Sequence, residues 1–206
     1  MPTKKSRCTV DLESVTGSIR RLNGINLAPK LVNQTLVDFN DSFRELEIPY
    51  ARLHDAPLDN PGIALVDTSL VFPRADAAAD DPANYFFRAT DDYIANCQAC
   101  GTEVIYRLGV SIEHSINKYF AFAPADYAHY AEVCAAIVRH YNRGWGNGHE
   151  WNIRYWEIWN EPNLTPQMWD RDMDAYFELY AVVAKRLKRE FPEIRIGGPA
   201  LCWLDT

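Results

Sequence analysis

The stretch Trp156-Glu-Ile-Trp-Asn-Glu-Pro-Asn163 concentrates acid chemistry in an aromatic setting. Asn160 and Glu161 follow a run, Ile153 to Trp159, whose β-branched and aromatic residues predict a strand, and Pro162 stops strand pairing directly after Glu161. A carboxyl group at the C-terminal end of a strand, beside a polar amide and near Trp156, Trp159 and Trp169, can serve as a general acid. Apolar surroundings raise a carboxyl pKa and keep it protonated near neutrality, and exposed indole faces can stack on flat ring faces such as those of sugars. The same tripeptide could instead cap a turn, with the tryptophans in the core. Its place at a strand end, with Asn160 alongside, favours the functional reading.

Chemistry that cleaves glycosidic bonds needs two carboxyl groups, about 5 Å apart for retention and roughly 6.5 to 9.5 Å apart for inversion. Glu157 shares the strand with Glu161, but four residues of extended chain span about 13 Å. Glu157 is therefore expected as a hydrogen-bonded interior carboxylate, and the second carboxylate must come from another strand. Side chains alternate along a strand, so Tyr155, Glu157 and Trp159 are predicted to share one face. On the run Tyr50-Ala-Arg-Leu-His54 the same rule puts Arg52 and His54 together near a rim. Arg52 could hold a carboxylate ionised there, and His54 could hydrogen-bond a hydroxyl. Their plainer roles are a buried ion-pair member and a satisfied core residue.

Cys97 and Cys100 form a C-x-x-C, but they fall in a helical pattern whose buried stripe also takes Tyr93 and Ile94. Cys8, Cys134 and Cys202 are scattered singly, so neither a structural metal nor a disulfide framework is predicted.

The elements that must position these residues alternate between strand and helix. Leu22 to Asn26 predicts a first strand, and Leu36, Phe39, Phe43 and Leu46 make one apolar stripe of a helix beginning near Gln34. Tyr50 to His54 is a second strand, a helix from Asp91 to Cys100 ends at Gly101, and Thr102 to Leu108 is a third strand. Pro124 and Asp126 open a helix with Tyr127, Tyr130, Cys134, Ile137, Val138 and Tyr141 on its buried face, which stops before Gly144. A helix with Asp170, Asp172 and Asp174 near its start and Lys185, Arg186, Lys188 and Arg189 near its end complements its own dipole. Ile194 to Ile196 is the fifth strand. Such alternation indicates a parallel α/β sheet, either doubly wound or closed as a barrel. The long connections leaving the second and third strands, set against short turns before the second, third and fifth, favour the barrel, and no Gly-rich phosphate fingerprint follows the first strand. The predicted fold is thus α/β, of the (β/α)8 TIM-barrel type, truncated after about five strands, with residues 1–206 as the N-terminal part of a single barrel domain whose remaining strands are absent.

A chain of 206 residues, 48% apolar and 24% charged, has material for one sizeable core. Its net charge of −7, with no clustered Lys/Arg stripe, argues against a nucleic-acid partner. No apolar run is long enough for a membrane span, and no signal-peptide pattern follows the basic first residues, so the sequence reads as cytoplasmic.

The stretch Trp156 to Asn163, together with Arg52-Leu-His54 and Gly197-Gly-Pro-Ala200, resembles glycoside hydrolase family 39, which includes β-xylosidases and α-L-iduronidases. The resemblance implies a retaining (β/α)8 enzyme without cofactor or metal, acting on an oligosaccharide or glycoside. Glu161 would be the acid/base, Asn160 would contact the 2-hydroxyl, Arg52 would support the nucleophile and His54 would line the subsite of the non-reducing sugar, with Trp159 as a further binding or supporting residue. The family's nucleophile is a second Glu on a seventh strand, outside this chain. A β-xylosidase-like activity is expected; an iduronidase or exopolysaccharide hydrolase, and a non-catalytic carbohydrate-binding barrel, are the alternatives. Residues 1–206 alone are expected to be inactive and to self-associate through open sheet edges.

Overall fold

A computed structural model describes residues 7–18, 21–31, 37–54, 65–111 and 121–204 of the chain. Its centre is a five-stranded parallel sheet in the spatial order β1 (Ile25–Asn26), β4 (Tyr50–Leu53), β5 (Glu103–Leu108), β6 (Tyr155–Ile158) and β7 (Arg195–Gly197). A short antiparallel pair, β2 (Lys30–Leu31) and β3 (Val37–Asp38), lies outside that sheet. The helices are α1 (Asn40–Glu45), α2 (Thr68–Val71), α3 (Arg88–Ala99), α4 (Tyr127–Arg143) and α5 (Met173–Glu190). Sheet neighbours follow chain order and run parallel, joined by helical crossovers, which is the winding of a (β/α)8-type barrel.

Local sequence explains the two long helices. Asp126 caps α4 by accepting from the backbone N–H of Ala128 (2.9 Å) and His129 (3.0 Å), and Gly144 ends it in the left-handed conformation at φ 68°. Asp172 caps α5 through Ala175 N–H at 2.9 Å. At its other end Lys188 Nζ donates to the carbonyls of Pro192 (2.6 Å) and Ile194 (2.7 Å), tying the exit of α5 to the start of β7. The helices cover one face of the sheet. Ala51, Leu53, Val104, Tyr106, Leu108, Trp156 and Ile158 from the strands join Ile94, Cys97, Ile137, Val138, Leu179 and Val183 from the helices in one buried core.

The predicted elements are present with shifted bounds: α3 begins at Arg88 instead of Asp91, β6 is confined to Tyr155–Ile158, and two elements near the start differ more. The first strand is only two residues long, and Leu22 is exposed. The helix expected from Gln34 begins at Asn40 instead; Gln34 and Leu36 lie outside the described residues, and Val37 and Asp38 are extended. Of the predicted stripe Phe43 is buried, whereas Phe39 and Leu46 are exposed, because a six-residue helix offers room for only one inward apolar position. The C-x-x-C residues are structural, as read: Cys97 is buried with its thiol pKa pushed up to about 12 by desolvation, and Cys100 contacts Asn40. All five cysteines are free. No described helix is long and apolar enough to cross a membrane.

Candidate active site

Register places one row of side chains on the face that a barrel turns toward its axis. Asn26 pairs with Arg52, Arg52 with Ile105, Arg107 with Glu157, and Glu157 with Gly197. Arg52 lies two strands away from Glu157 and reaches it across the sheet. Its Nε donates to Glu157 Oε2 at 2.8 Å, its Nη2 stands 2.6 Å from the same oxygen as an ion pair, and Nη2 donates to Asn160 Oδ1 at 2.6 Å. Both ion-pair members are largely buried. Glu157 is thus the hydrogen-bonded interior carboxylate that strand spacing predicts, and the guanidinium fork of Arg52 joins it to Asn160.

That bond also orients the Asn160 amide. Because Oδ1 accepts from Arg52, Nδ2 must point the other way, and it has no hydrogen-bond partner among the described residues. A buried amide donor without a partner costs about 1–3 kcal/mol, a cost that a ligand oxygen would remove. His54, directly after β4, is half-buried like Tyr50 and Arg52, consistent with the shared face expected for the three.

The backbone after β6 leaves the strand abruptly. Trp159 has φ 67° and Glu161 φ 46°, left-handed values that cost a non-glycine residue on the order of 1–3 kcal/mol each and must be held by tertiary contacts. Those contacts are Trp159 N–H to Leu108 carbonyl at 2.8 Å, Glu161 N–H to Ala200 carbonyl at 3.0 Å, and Leu164 N–H back to Glu161 carbonyl at 2.9 Å. Gly109 permits the approach, since a Cβ there would fall 3.1 Å from Trp159 Cα and 3.2 Å from Arg107 Cδ. Glu161 is half-buried at the C-terminal rim, where the segment following β7 comes up beside it. In that segment the Cys202 thiol is pushed up by desolvation and by the neighbouring Glu161 carboxylate. Asn163 ties the same segment down, accepting from Cys202 N–H at 2.9 Å and donating to Trp203 carbonyl at 3.0 Å.

Trp159 departs from the predicted face. Its left-handed backbone breaks the alternation, so the indole does not join Tyr155 and Glu157. It is buried among Trp169 and Tyr130 and donates to Met168 carbonyl at 2.7 Å. Trp156 and Trp169 are also buried, so none of the three tryptophans around Glu161 offers the exposed stacking face that their types suggested. Trp159 belongs to the support of the rim.

Sequence reading passed over a second polar cluster on the same strand ends. Arg107 Nη2 donates to Asp67 Oδ1 at 2.5 Å and to Ser111 Oγ at 2.8 Å, and Ser111 Oγ donates to Asp67 Oδ1 at 2.9 Å. The Arg107 and Asp67 side chains are fully buried. The available signal was an arginine inside an apolar strand, on the face of Ile105 and opposite Glu157.

Residues 90–205 match the family model of glycosyl hydrolases family 39. The chain belongs to that family. Over 81 residues it is 37% identical to a β-xylosidase of Geobacillus stearothermophilus, a match covering 38% of this chain and 16% of that protein. Among solved structures, a glucosidase from Croceicoccus marinus aligns with a TM-score of 0.74 at 27% identity, covering 90% of this chain and 38% of that one. A monomeric β-xylosidase from Caulobacter crescentus CB15 aligns at 0.55 and 26% identity, covering 79% of this chain and 32% of that one. The family 39 chain therefore spans well under half the length of the relatives it matches.

Proposed function

We propose that this family 39 chain carries the acid/base half of a retaining glycoside hydrolase site for a β-linked sugar, with β-xylosides as the leading substrate class. Glu161 would protonate the departing glycosidic oxygen and then deprotonate the water that releases the glycosyl-enzyme. The observation that carries the reading is the Arg52 fork: by fixing Asn160 Oδ1, it leaves the buried Nδ2, on the residue before Glu161, without a partner among the described residues. That amide would donate to the sugar 2-hydroxyl, a contact that strengthens as the oxocarbenium-like transition state forms. His54 would bind a neighbouring hydroxyl. Arg52 is engaged by Glu157 and Asn160, so it would serve a nucleophile through this network; the nucleophilic carboxylate itself would come from outside residues 1–206. The β-xyloside preference rests on the curated relatives named β-xylosidase. A β-glucoside specificity is the second reading, favoured by the wide structural match to a glucosidase.

Replacing Glu161 with Gln in the full enzyme tests the acid/base role. Glycosides with poor leaving groups should slow far more than activated aryl glycosides, and azide should restore turnover by attacking without a base. Equal losses on both substrate types without azide rescue would remove Glu161 from the reaction. Aryl β-xyloside and β-glucoside, assayed in parallel, separate the two specificities.

A further inference from the structure

The connection between α4 and β6 folds back on the helix it has just left. His149 N–H donates to the His140 carbonyl at 2.6 Å, and Gly144 N–H to the His149 carbonyl at 3.0 Å. Position 148 must be glycine for this approach, because a Cβ there would lie 2.1 Å from the His140 carbonyl oxygen. The fold-back sets His149 beside His140, and both imidazoles face Asp91 in the first turn of α3. His140 Nε2 is 3.0 Å from Asp91 Oδ1 and His149 Nε2 is 3.6 Å from Asp91 Oδ2. The rings are fixed by stacking, His140 on Phe87 at 3.5 Å between centroids and His149 on Trp151 at 3.8 Å.

Donor and acceptor chemistry leaves this cluster incomplete. His140 Nδ1 lies 2.9 Å from the Trp145 carbonyl, which can only accept, so Nδ1 carries the proton. Nε2 is then the ring nitrogen that faces Asp91 Oδ1, at 3.0 Å. His149 Nε2, closed off from solvent, makes no hydrogen bond among the described residues. Three side chains of metal-ligating type thus converge, their ligating atoms all within 4.8 Å of one another. Around a tetrahedral zinc, ligands at roughly 2.0–2.2 Å stand about 3.3–3.6 Å apart. The imidazole–carboxylate distances, 3.0 Å to Oδ1 and 3.6 Å to Oδ2, lie near that range, while the set as a whole spans up to 4.8 Å, so the three side chains must draw together around an ion.

We propose that Asp91, His140 and His149 bind a divalent metal ion of the zinc class. Two imidazoles and one carboxylate suit zinc better than magnesium or calcium, which take oxygen ligands. The Trp145 carbonyl supplies the outer hydrogen bond that fixes a ligating histidine's tautomer. Asp91 and His149 retain partial exposure, at 20% and 32% of their side chains, which leaves a position for water. The ion ties α3, α4 and the α4–β6 connection together in the helical layer and takes no part in the chemistry at Glu161. The set contains no cysteine, so the spacing of Cys97 and Cys100 carries no signal of it.

The experiment is zinc titration of chelator-stripped protein by calorimetry, with magnesium as control. Cys8→Ser and Cys202→Ser are introduced first, because exposed thiols also take zinc. One zinc per chain is expected, with a change in the fluorescence of the bordering Trp145 and Trp151. His149→Ala and Asp91→Asn should each weaken binding by at least about 100-fold, while His149→Cys, which restores a ligand, should keep it. Circular dichroism of the stripped variants separates lost binding from lost fold. Absence of zinc binding by the parent protein, or undiminished binding by the folded His149→Ala variant, overturns the proposal and leaves an imidazole–carboxylate network held by protons.

Discussion

The two faces of the central sheet do different work. Toward the helices, Ala51, Leu53, Tyr106, Leu108, Trp156 and Ile158 are sealed from water and interlock with α3, α4 and α5. Toward the barrel axis, Tyr50, Arg52, Tyr155 and Glu157 are half-buried and mostly polar, the two tyrosines meeting edge to face and the Arg52 fork joining Glu157 to Asn160. A period of two residues separates the faces, so one short strand contributes alternately to stability and to the site. The helical face tolerates little change in volume. The axial face tolerates little change in hydrogen-bond geometry.

The largest effect that would break this comparison is on the helical face. Trp156 stacks on Tyr106 at 5.0 Å and donates to the Ile153 carbonyl at 2.9 Å. Trp156→Ala should destabilise the fold by about 3–5 kcal/mol, through lost burial and the cavity that remains. Denaturant unfolding measures it; a loss under about 1 kcal/mol would mean that the face is not a packed core.

On the axial face the expected signature is the reverse, with activity falling further than stability. Arg52→Lys keeps the charge but cannot hold Glu157 and Asn160 at once. In the full enzyme kcat/KM should fall about 10- to 100-fold, the equivalent of one charge-assisted hydrogen bond of roughly 1.5–3 kcal/mol. If the fork acts as one unit, adding Asn160→Ala to Arg52→Lys should cost less than the sum of the single losses, whereas strict additivity would separate the two residues.

How much of this was legible follows from how local each signal is. The ends of α4 and α5 are written in Asp126, Gly144 and Asp172, whose caps involve residues two to five positions away. Arg52 and Glu157 were placed on interior faces by alternation alone. Trp159 was not, because alternation presumes extended backbone and its φ of 67° is imposed by contacts with β5 and the segment around Met168. The α1 region misled for the opposite reason: Phe39, Phe43 and Leu46 have helical spacing, but spacing carries no information about whether a partner surface exists. Asp91, His140 and His149 meet only through tertiary packing and the fold-back at Gly148, so no sequence spacing announces them.

The smallest effect concerns the edge of the helical layer, where polar contacts join α4 to α5 outside the sealed core. Arg186 forks onto Glu132 at 2.6 and 2.8 Å and reaches Glu190 at 2.8 Å, and Arg139 pairs with Glu190 from the other side. The Arg186 hydrogen bond holds the Glu132 carboxyl below its ordinary pKa, and the Arg139 bond does the same for Glu190, in both cases against desolvation. A carboxyl depressed in the folded state stabilises above its unfolded pKa, near 4.5 for these residues, and loses that contribution as pH falls through the folded value. Both carboxylates are partly exposed, so solvent screening keeps each pair to no more than about 1 kcal/mol. Between pH 6 and pH 3, ~3 units spanning that titration, the double variant Glu132→Gln/Glu190→Gln should lose less stability than the parent, with the two curves converging at the acid end. High salt should shrink the difference. Parallel curves across the whole range would show that these ion pairs decorate the α4–α5 contact without stabilising it, leaving the helical layer to its apolar packing alone.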